Sequence, residues 1–365
     1  MIISIEWLRS LVDFDLNSQD LADLLTAGGI EAECGGETIL KLDLTPNRPD
    51  CMSHLGVARE VALFTDSELK RHRIDFSESK VKVDDSFSIE IEDEKACPRY
   101  AARIVRNLKI GPSPDWMSSR LEVVGIRSIN NVVDVANYVL MELGHPLHTF
   151  DLNLLEGGKI IVRLAKEGEK IVTLDDEKRT LNNYHLLICD AKKPVALAGI
   201  MGCANSEVTE STTDILIESA YFDPITIRRG SKSLGLTTEA SKRFERGTDF
   251  EGLITALDRT ADLLSECAGG DIDGGILDAY PNKISNEKIT LRADKASELI
   301  GFEIDDTFIE KTFAGLEISS KKTKEGFTAL PPTFRPDLKR EIDLIEELAR
   351  VYGYESIPSD YLFDG

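Results

Sequence analysis

Hydrophobic positions change their period several times along this chain. Near residues 5 to 12 and 18 to 27 they recur at helical spacing, the second run stopping at the Gly28-Gly29 pair. A strand, "TILKLDL", follows, and "TPNRPD" introduces another helix over about residues 52 to 64. The polar stretch "RIDFSESKVKVDDS" then breaks the pattern and sets a first boundary near residue 80.

From about 87 to 280 the reading is mixed. Strand patterns occur in "YAARIVRNL", "GKIIVRLA", "EKIVTLD", "HLLICD" and "DILIESAYF", with turn signals at "LDDEK" and "CDAKKP". One helix carries Val132, Val135, Ala136, Val139 and Leu143 on a face and stops at Gly144; another is "EGLITALDRTADLLSECAGG". This predicts an α+β domain with substantial sheet.

The last part repeats the plan of the first. A shift of 287 residues places Ala27-Gly28 on Ala314-Gly315 and Arg48-Pro49-Asp50 on Arg335-Pro336-Asp337. The same shift sets Leu55, Val57, Ala58, Val61 and Ala62 on Ile342, Leu344, Ile345, Leu348 and Ala349. The expected architecture is multidomain α+β: a module over 1–80, a central domain over 87–280 and a second module over 287–360. Helix, strand hairpin and helix make each module resemble a winged helix.

Charge narrows the function classes. With 43 Lys and Arg against 65 Asp and Glu, the net charge is −22. Such a field repels polyanions, because nonspecific nucleic-acid affinity comes mainly from phosphate neutralisation. DNA binding is therefore not expected, and an RNA ligand needs a partner or a local basic patch such as "TIRRGSK", residues 226 to 232, which otherwise reads as solvated surface. No stretch approaches the roughly 20 apolar residues of a membrane span. The N-terminus "MIISIEWLRSL" lacks a basic leader and a cleavage site, so a cytoplasmic protein is expected. The six cysteines, with no metal-binding spacing, read as reduced thiols.

In "RPDLKREIDLIEELARVYGY" five carboxylates fall within eleven residues. On a helix, Leu338, Ile342, Ile345, Ala349 and Tyr352 form one stripe, and Asp343, Glu346, Glu347 and Arg350 lie nearly opposite. A solvated face is one reading. Oxygen ligands for a hard cation such as Mg²⁺ are the other. The first copy has Asp50, Gly56, Arg59 and Glu60 where the second has Asp337, Asp343, Glu346 and Glu347, so Asp343 and Glu346 are what the second copy adds. Asp337, just after a proline, is the expected N-cap in both copies.

The blocks "LDLTPNRPDCMSHLGVAREVA", "RYAARIVRNLKIGPSP", "GIRSINNVVDVANYVLMELGHPLHTFD", "GLTTEASKRFERGTD" and "PTFRPDLKREIDLIEELARVYGYESIP" resemble, in order, the bacterial-type phenylalanyl-tRNA synthetase beta subunit. Two departures stand out. The family's tRNA-binding barrel is missing from "GGIEAECGGETILKLDL", and "SIPSDYLFDG" ends where the family continues into further domains, as in a truncated or natural short form.

The resemblance implies an alpha subunit that binds ATP and charges tRNA(Phe), in an α2β2 assembly, and a central beta-subunit domain that hydrolyses mischarged Tyr-tRNA. It assigns His148, Gly202, Glu218, Thr238 and Ala240 to the editing pocket. It also assigns Asp337, Asp343, Glu346 and Glu347 to a Mg²⁺ site shared with the alpha subunit. On this reading Glu218 accepts the tyrosine hydroxyl, which phenylalanine leaves unpaired, and His148 positions or deprotonates water. Gly202 permits close backbone approach, Thr238 offers a hydroxyl, and Ala240 leaves room for a ring. Cys203, beside Gly202, has no base placed for it and reads as a buried thiol. Competing readings are a non-catalytic scaffold binding protein or DNA, and a stand-alone hydrolase acting in trans.

Overall fold

The computed structural model describes residues 1–357; the end of the second module's expected range, 358–360, lies outside the described residues. The chain begins with β1 (Ile2–Ser4), α1 (Ile5–Arg9), α2 (Ser18–Ala27), β2 (Glu31–Cys34), β3 (Ile39–Asp43) and α3 (His54–Thr65). β2 passes to β3 through residues 35–38 alone. Next come β4 (Glu78–Lys82), β5 (Ser88–Ile91), β6 (Arg99–Arg106), α4 (Asp115–Val123), α5 (Asn131–Leu143) and β7 (Leu147–Asp151). β8 (Lys159–Leu164), β9 (Lys170–Val172), β10 (Lys178–Thr180), β11 (Leu186–Cys189), β12 (Pro194–Leu197), β13 (Met201–Gly202) and β14 (Ile215–Tyr221) follow. The central part closes with α6 (Pro224–Leu234), α7 (Glu239–Phe244), α8 (Leu253–Ala268), β15 (Asp271–Gly274) and β16 (Leu277–Ala279). Last are β17 (Ile289–Arg292), α9 (Ala293–Ile300), α10 (Asp306–Gly315), β18 (Ser319–Lys322), β19 (Gly326–Leu330) and α11 (Glu341–Tyr352). The fold is α+β and multidomain.

Two compact units emerge: residues 1–71 together with those from 285 onward, and residues 72–284. The first boundary falls earlier than residue 80 because β4 pairs in parallel with β15 of the central unit.

In the first unit every element of one module has its counterpart 287 residues on. The sheets run β1-β3-β2 and β17-β19-β18, and α3 and α11 coincide residue for residue. Val57, Ala58 and Val61 are buried, as are their counterparts Leu344, Ile345 and Leu348. The stripe read from the sequence is therefore rotated: Ile342 is 46% exposed, and Leu344 takes its place inside. Asp337 does not cap the helix. α11 starts only at Glu341, and it is Asp343 whose Oδ2 accepts the Lys339 and Arg340 amides at 3.0 and 2.8 Å. In the first copy Ser53 caps α3.

Asp337 instead chelates Arg335 through both oxygens, at 2.9 and 2.8 Å, as Asp50 chelates Arg48 at 3.0 and 2.8 Å. Each arginine also donates to the buried glutamate on the following helix of its own module, Arg48 to Glu60 and Arg335 to Glu347. Arg350 links the two sets, donating to Glu60 at 2.6 Å and Glu347 at 2.7 Å. The acids thus do not share a solvated face, since Glu347 is buried. Contact between the modules is reciprocal. Leu63 of α3 packs where a side chain at Gly315 would stand, and Arg350, its counterpart, donates to the Gly28 carbonyl, Gly28 being the counterpart of Gly315.

In the central unit a sheet ordered β4-β15-β6-β14-β7, with β16 also on β6, faces a second sheet ordered β13-β12-β11-β8-β5. Tyr100, Ile104, Phe150, Leu187, Leu197 and Leu216 belong to one core cluster that includes strands of both sheets. α5 and α8 pack against the first sheet, with α8 on β14 and β6. α5 is capped by Asn130, which accepts the Val132 and Val133 amides, and is stopped by Gly144 at φ 78°.

Removing one partner of a buried ion pair leaves an uncompensated charge. Arg350→Met should therefore cost about 3–5 kcal/mol in urea unfolding, whereas Arg340→Met, at an exposed arginine, should leave the midpoint in place. Burial opposes ionisation of Glu347, but Arg335 and Arg350 overcome it and hold its carboxyl far below the usual carboxylate range. Its stabilisation is full above the ordinary carboxyl pKa of about 4.3 and is lost as pH falls toward the depressed value. Glu347→Gln should flatten that acid limb of the stability curve.

Candidate functional site

β14 lies between β6 and β7, and the register determines which side chains meet. Glu218 stands directly opposite His148 on β7 and Ala102 on β6, so Glu218 and His148 project from the same face. Tyr100, two residues before Ala102, shares that face, and its hydroxyl donates to Glu218 Oε2 at 2.8 Å. The alternate residue Ser219 points the other way and donates to the Leu253 carbonyl of α8 at 2.8 Å.

Glu218 and His148 reach a pocket of about 60 Å³, lined also by Pro146, Gly199, Gly202, Ala240 and Phe244. That is room for a few ordered waters. Gly202 has to be glycine here, because a Cβ would sit 2.5 and 2.6 Å from Cε1 and Nε2 of His148. Gly199, at φ +66°, turns the chain where a Cβ would press at 3.0 Å on Ile227, Phe222 and Phe244.

Thr238 does not line the pocket. It is the N-cap of α7, accepts the Ser241 amide at 3.0 Å and donates to the Ile200 carbonyl at 3.0 Å. Its hydroxyl is thereby committed to holding the loop from Gly199 to Gly202 against α7. The same helix is tied to α5 by buried Arg243, which donates to Met141 Sδ at 3.4 Å besides bonding the Glu239 carbonyl and carboxylate within α7, both at 2.9 Å. This anchoring presents Ala240 to the pocket. Of the five residues expected, four line one cavity and the fifth fastens its wall.

Burial among apolar side chains pushes the Glu218 carboxyl up to about 8, the Tyr100 hydrogen bond pulling the other way. Desolvation lowers His148 to about 4, so the imidazole is neutral at pH 7. Its ring stands edge-on to Phe150 at 4.5 Å. A neutral ring can accept a hydrogen bond from water, but with that pKa it is a weak base. Beside it sits a carboxyl with one oxygen engaged. Such a pocket can recognise a hydroxyl and orient a water molecule. Cys203 is buried, and desolvation pushes its thiol up to about 12, which removes it as a nucleophile.

Tyr100, which holds Glu218 from behind the pocket, is the residue that sequence reasoning missed. Its strand was legible, and its alternation with Ala102 was available, but no signal in one strand names the residue on the next.

In the other unit Asp337, Asp343, Glu346 and Glu347 all line one cavity of about 410 Å³, together with Arg48, Arg340 and Arg350. They are not equivalent. Asp337 and Glu347 have their oxygens taken by Arg335 and Arg350, so they do not fit a cation without losing those partners. Asp343 keeps Oδ1, bound only to the exposed Arg340, and Glu346 is exposed. These two fit a hydrated divalent ion. Around this cavity and the network behind it, Arg48, Arg335, Arg340 and Arg350 face Asp50, Glu60, Asp337, Asp343, Glu346 and Glu347, which leaves a deficit of two positive charges. Asp50, Cys51 and Glu60 also cluster closely, but the Arg48 guanidinium occupies their centre, donating to all three.

Comparison with known proteins places residues 96–269 in a B3/4 domain and residues 289–354 in a tRNA synthetase B5 domain. The phenylalanine–tRNA ligase beta subunit of Syntrophus aciditrophicus is 48% identical over 344 residues, 93% of this chain and 42% of that protein. That of Geobacter sulfurreducens is 50% identical over 88% of this chain and 40% of the relative. The one from Rhodopirellula baltica is 42% identical over 99% of this chain and 54% of its own length. The chain thus spans about half the length of these relatives, or less. Among solved structures, an N-terminal fragment of the phenylalanyl-tRNA synthetase beta subunit from Pyrococcus horikoshii shares the fold, with a TM-score of 0.52 and 18% identity, covering 96% of this chain and 99% of that one.

The Glu218 carboxyl faces Tyr100 and Cys97, whose titrations its charge raises, and His148 across the strand pair. Because its folded pKa is raised, its stabilisation is full below about 4.3 and declines as pH rises toward about 8. Glu218→Gln should remove that decline from the unfolding curve. Tyr100→Phe should move the carboxyl titration, followed by its infrared C=O band, to higher pH.

Proposed function

The chain belongs to the family of phenylalanine–tRNA ligase beta subunits, and from that membership we propose that its central unit edits tRNA(Phe) esterified with tyrosine. In this reading an alpha subunit binds ATP and performs the charging. The carrying observation is the buried Glu218, held on Oε2 by Tyr100 and paired across the sheet with His148. Oε1 is left for the para hydroxyl of a tyrosyl ring. Phenylalanine would leave this buried carboxyl without that partner, at a cost of about 1–3 kcal/mol.

Hydrolysis forms a bond from water oxygen to the ester carbonyl carbon and breaks the bond from that carbon to the ribose oxygen, which takes up a proton. His148, neutral and weakly basic, accepts a hydrogen bond from the attacking water and orients it. Thr238 contributes by fixing the Ile200 carbonyl, and Gly202 by giving the imidazole its place.

A cation reading accompanies this one. The family's Mg²⁺ would be held at the edge of the first unit by Asp343 and Glu346, with water and groups of the alpha subunit completing its shell. It would neutralise the local charge deficit.

The chain should hydrolyse Tyr-tRNA(Phe) in preference to Phe-tRNA(Phe), and Glu218→Gln should reduce that preference by roughly 10- to 200-fold. His148→Ala should slow hydrolysis while retaining the preference. Equal hydrolysis of both esters by the unmutated chain would remove the editing reading. Failure to hydrolyse either, together with tight, salt-sensitive DNA binding, would favour the scaffold. In calorimetry, Mg²⁺ should bind weakly to the chain alone and more tightly with the alpha subunit, and Asp343→Asn should abolish the gain. Tight binding by the chain alone contradicts the shared site.

A further inference from the structure

The stretch "TIRRGSK" lies within α6. Asp223 caps the helix by accepting the Thr226 amide at 2.8 Å, and Ile227, Gly230 and Ser231 are buried. That inner face touches the pocket's turn: Ile227 closes on Gly199, and Gly230 makes room for Ile200. The outer face is a single stripe at positions i, i+3, i+4 and i+7, occupied by Ile225, Arg228, Arg229 and Lys232. All four are exposed, Ile225 to 75%.

Three cations on one face with no counter-charge are unusual for this chain. Its net charge is −22, and most of its other arginines in the central unit are paired with carboxylates, as Arg99, Arg103, Arg106, Arg163 and Arg259 are. Arg228, Arg229 and Lys232 form no ion pair among the described residues, and α6 carries no acidic residue. Asp223, just before the helix, is engaged in the cap, and Glu167 accepts the Asn183 amide. Arg229 lies 3.9 Å over the Tyr184 ring, which stacks on His185 at 4.7 Å. His185 is buried and Tyr184 half-buried, so this stack holds the Arg229 guanidinium in place at the surface.

We infer that the outer stripe of α6 docks the phosphodiester backbone at the acceptor end of the RNA and so delivers its esterified 3′ terminus to the pocket behind Gly199 and Ile200. This rests on the editing reading for its substrate. A polyanion is the occupant that matches three unneutralised cations on an otherwise anionic surface. The face is solvated in the free chain, which is why it reads as plain surface from the sequence.

The test is the binding of uncharged tRNA(Phe) to the full chain across a salt series. Arg228→Glu/Lys232→Glu should weaken affinity at least about tenfold at low salt and make the slope of log K against log salt shallower by about 0.7–0.9 for each phosphate that is no longer neutralised. The KM for Tyr-tRNA deacylation should rise with it. Lys324→Glu, a charge reversal in the other unit, should leave the slope unchanged, and unfolding midpoints of all variants should match. Unaltered affinity and slope in the double variant overturn the inference. So does a defect confined to assembly with the alpha subunit, which would make α6 a protein-docking face. If the unmutated chain does not deacylate Tyr-tRNA, the editing reading falls, while the salt slope still decides whether α6 holds RNA.

Discussion

The pairing of β14 with β6 on one side and β7 on the other is the constraint from which the central pocket follows. Antiparallel register fixes which residue stands opposite which, and a slip of one residue would turn every side chain to the wrong face. Glu218 would then point at α8 and Ser219 at the space between the sheets. Both neighbouring strands are thus needed to assemble the trio of Tyr100, Glu218 and His148. The carboxyl is costly where it stands, since burial disfavours its ionised form. It is hydrogen-bonded on one oxygen only, and the proposed preference for tyrosine rests on the cost of leaving the other oxygen without a partner.

The first unit solves a different electrostatic problem. Four carboxylates and three arginines, buried or nearly so, interlock with two-fold repetition, each copy supplying an aspartate, an arginine and a glutamate, and Arg350 bridging between them. In this network guanidinium groups fill the places that a metal would take in a carboxylate cluster. An arginine fork satisfies two oxygens at once and stays charged at every relevant pH. Ligand-like residues therefore serve here as counter-charges, and only Asp343 and Glu346, at the margin, retain free capacity.

Much of this fold was legible because its elements are strongly periodic. β6, β8, β11, β14, α5 and α8 fall where alternation or helical spacing put them, and the 287-residue shift holds for every element of the two modules. β7 was not legible, because Leu147–Asp151 alternates too little to mark a strand after the Gly-His-Pro turn; with it the setting of His148 was lost. The phase of α11 was misjudged because the sequence offered Leu338 and Asp337 as its first turn, whereas the backbone spends them in a turn around Arg335. Burial of Glu347 and Arg350 was equally hidden. A charged residue reads as exposed unless its partners are known, and those partners are Glu60, in the other module, and Arg335, in the turn before α11.

The bond from Arg350 to Glu60 spans 290 positions of sequence. During synthesis at about 5–20 residues per second, the first module waits roughly 15–60 s for the second. Throughout that interval Glu60 has Arg48 but lacks Arg350, and the side of α3 that carries Leu63 has no Gly315 to lie on. The central unit, contiguous in the chain, has all its own strands before α11 is made. Insertion of a domain between two copies of one module thus imposes an order on assembly: the central unit is complete first, and the two modules close on each other last.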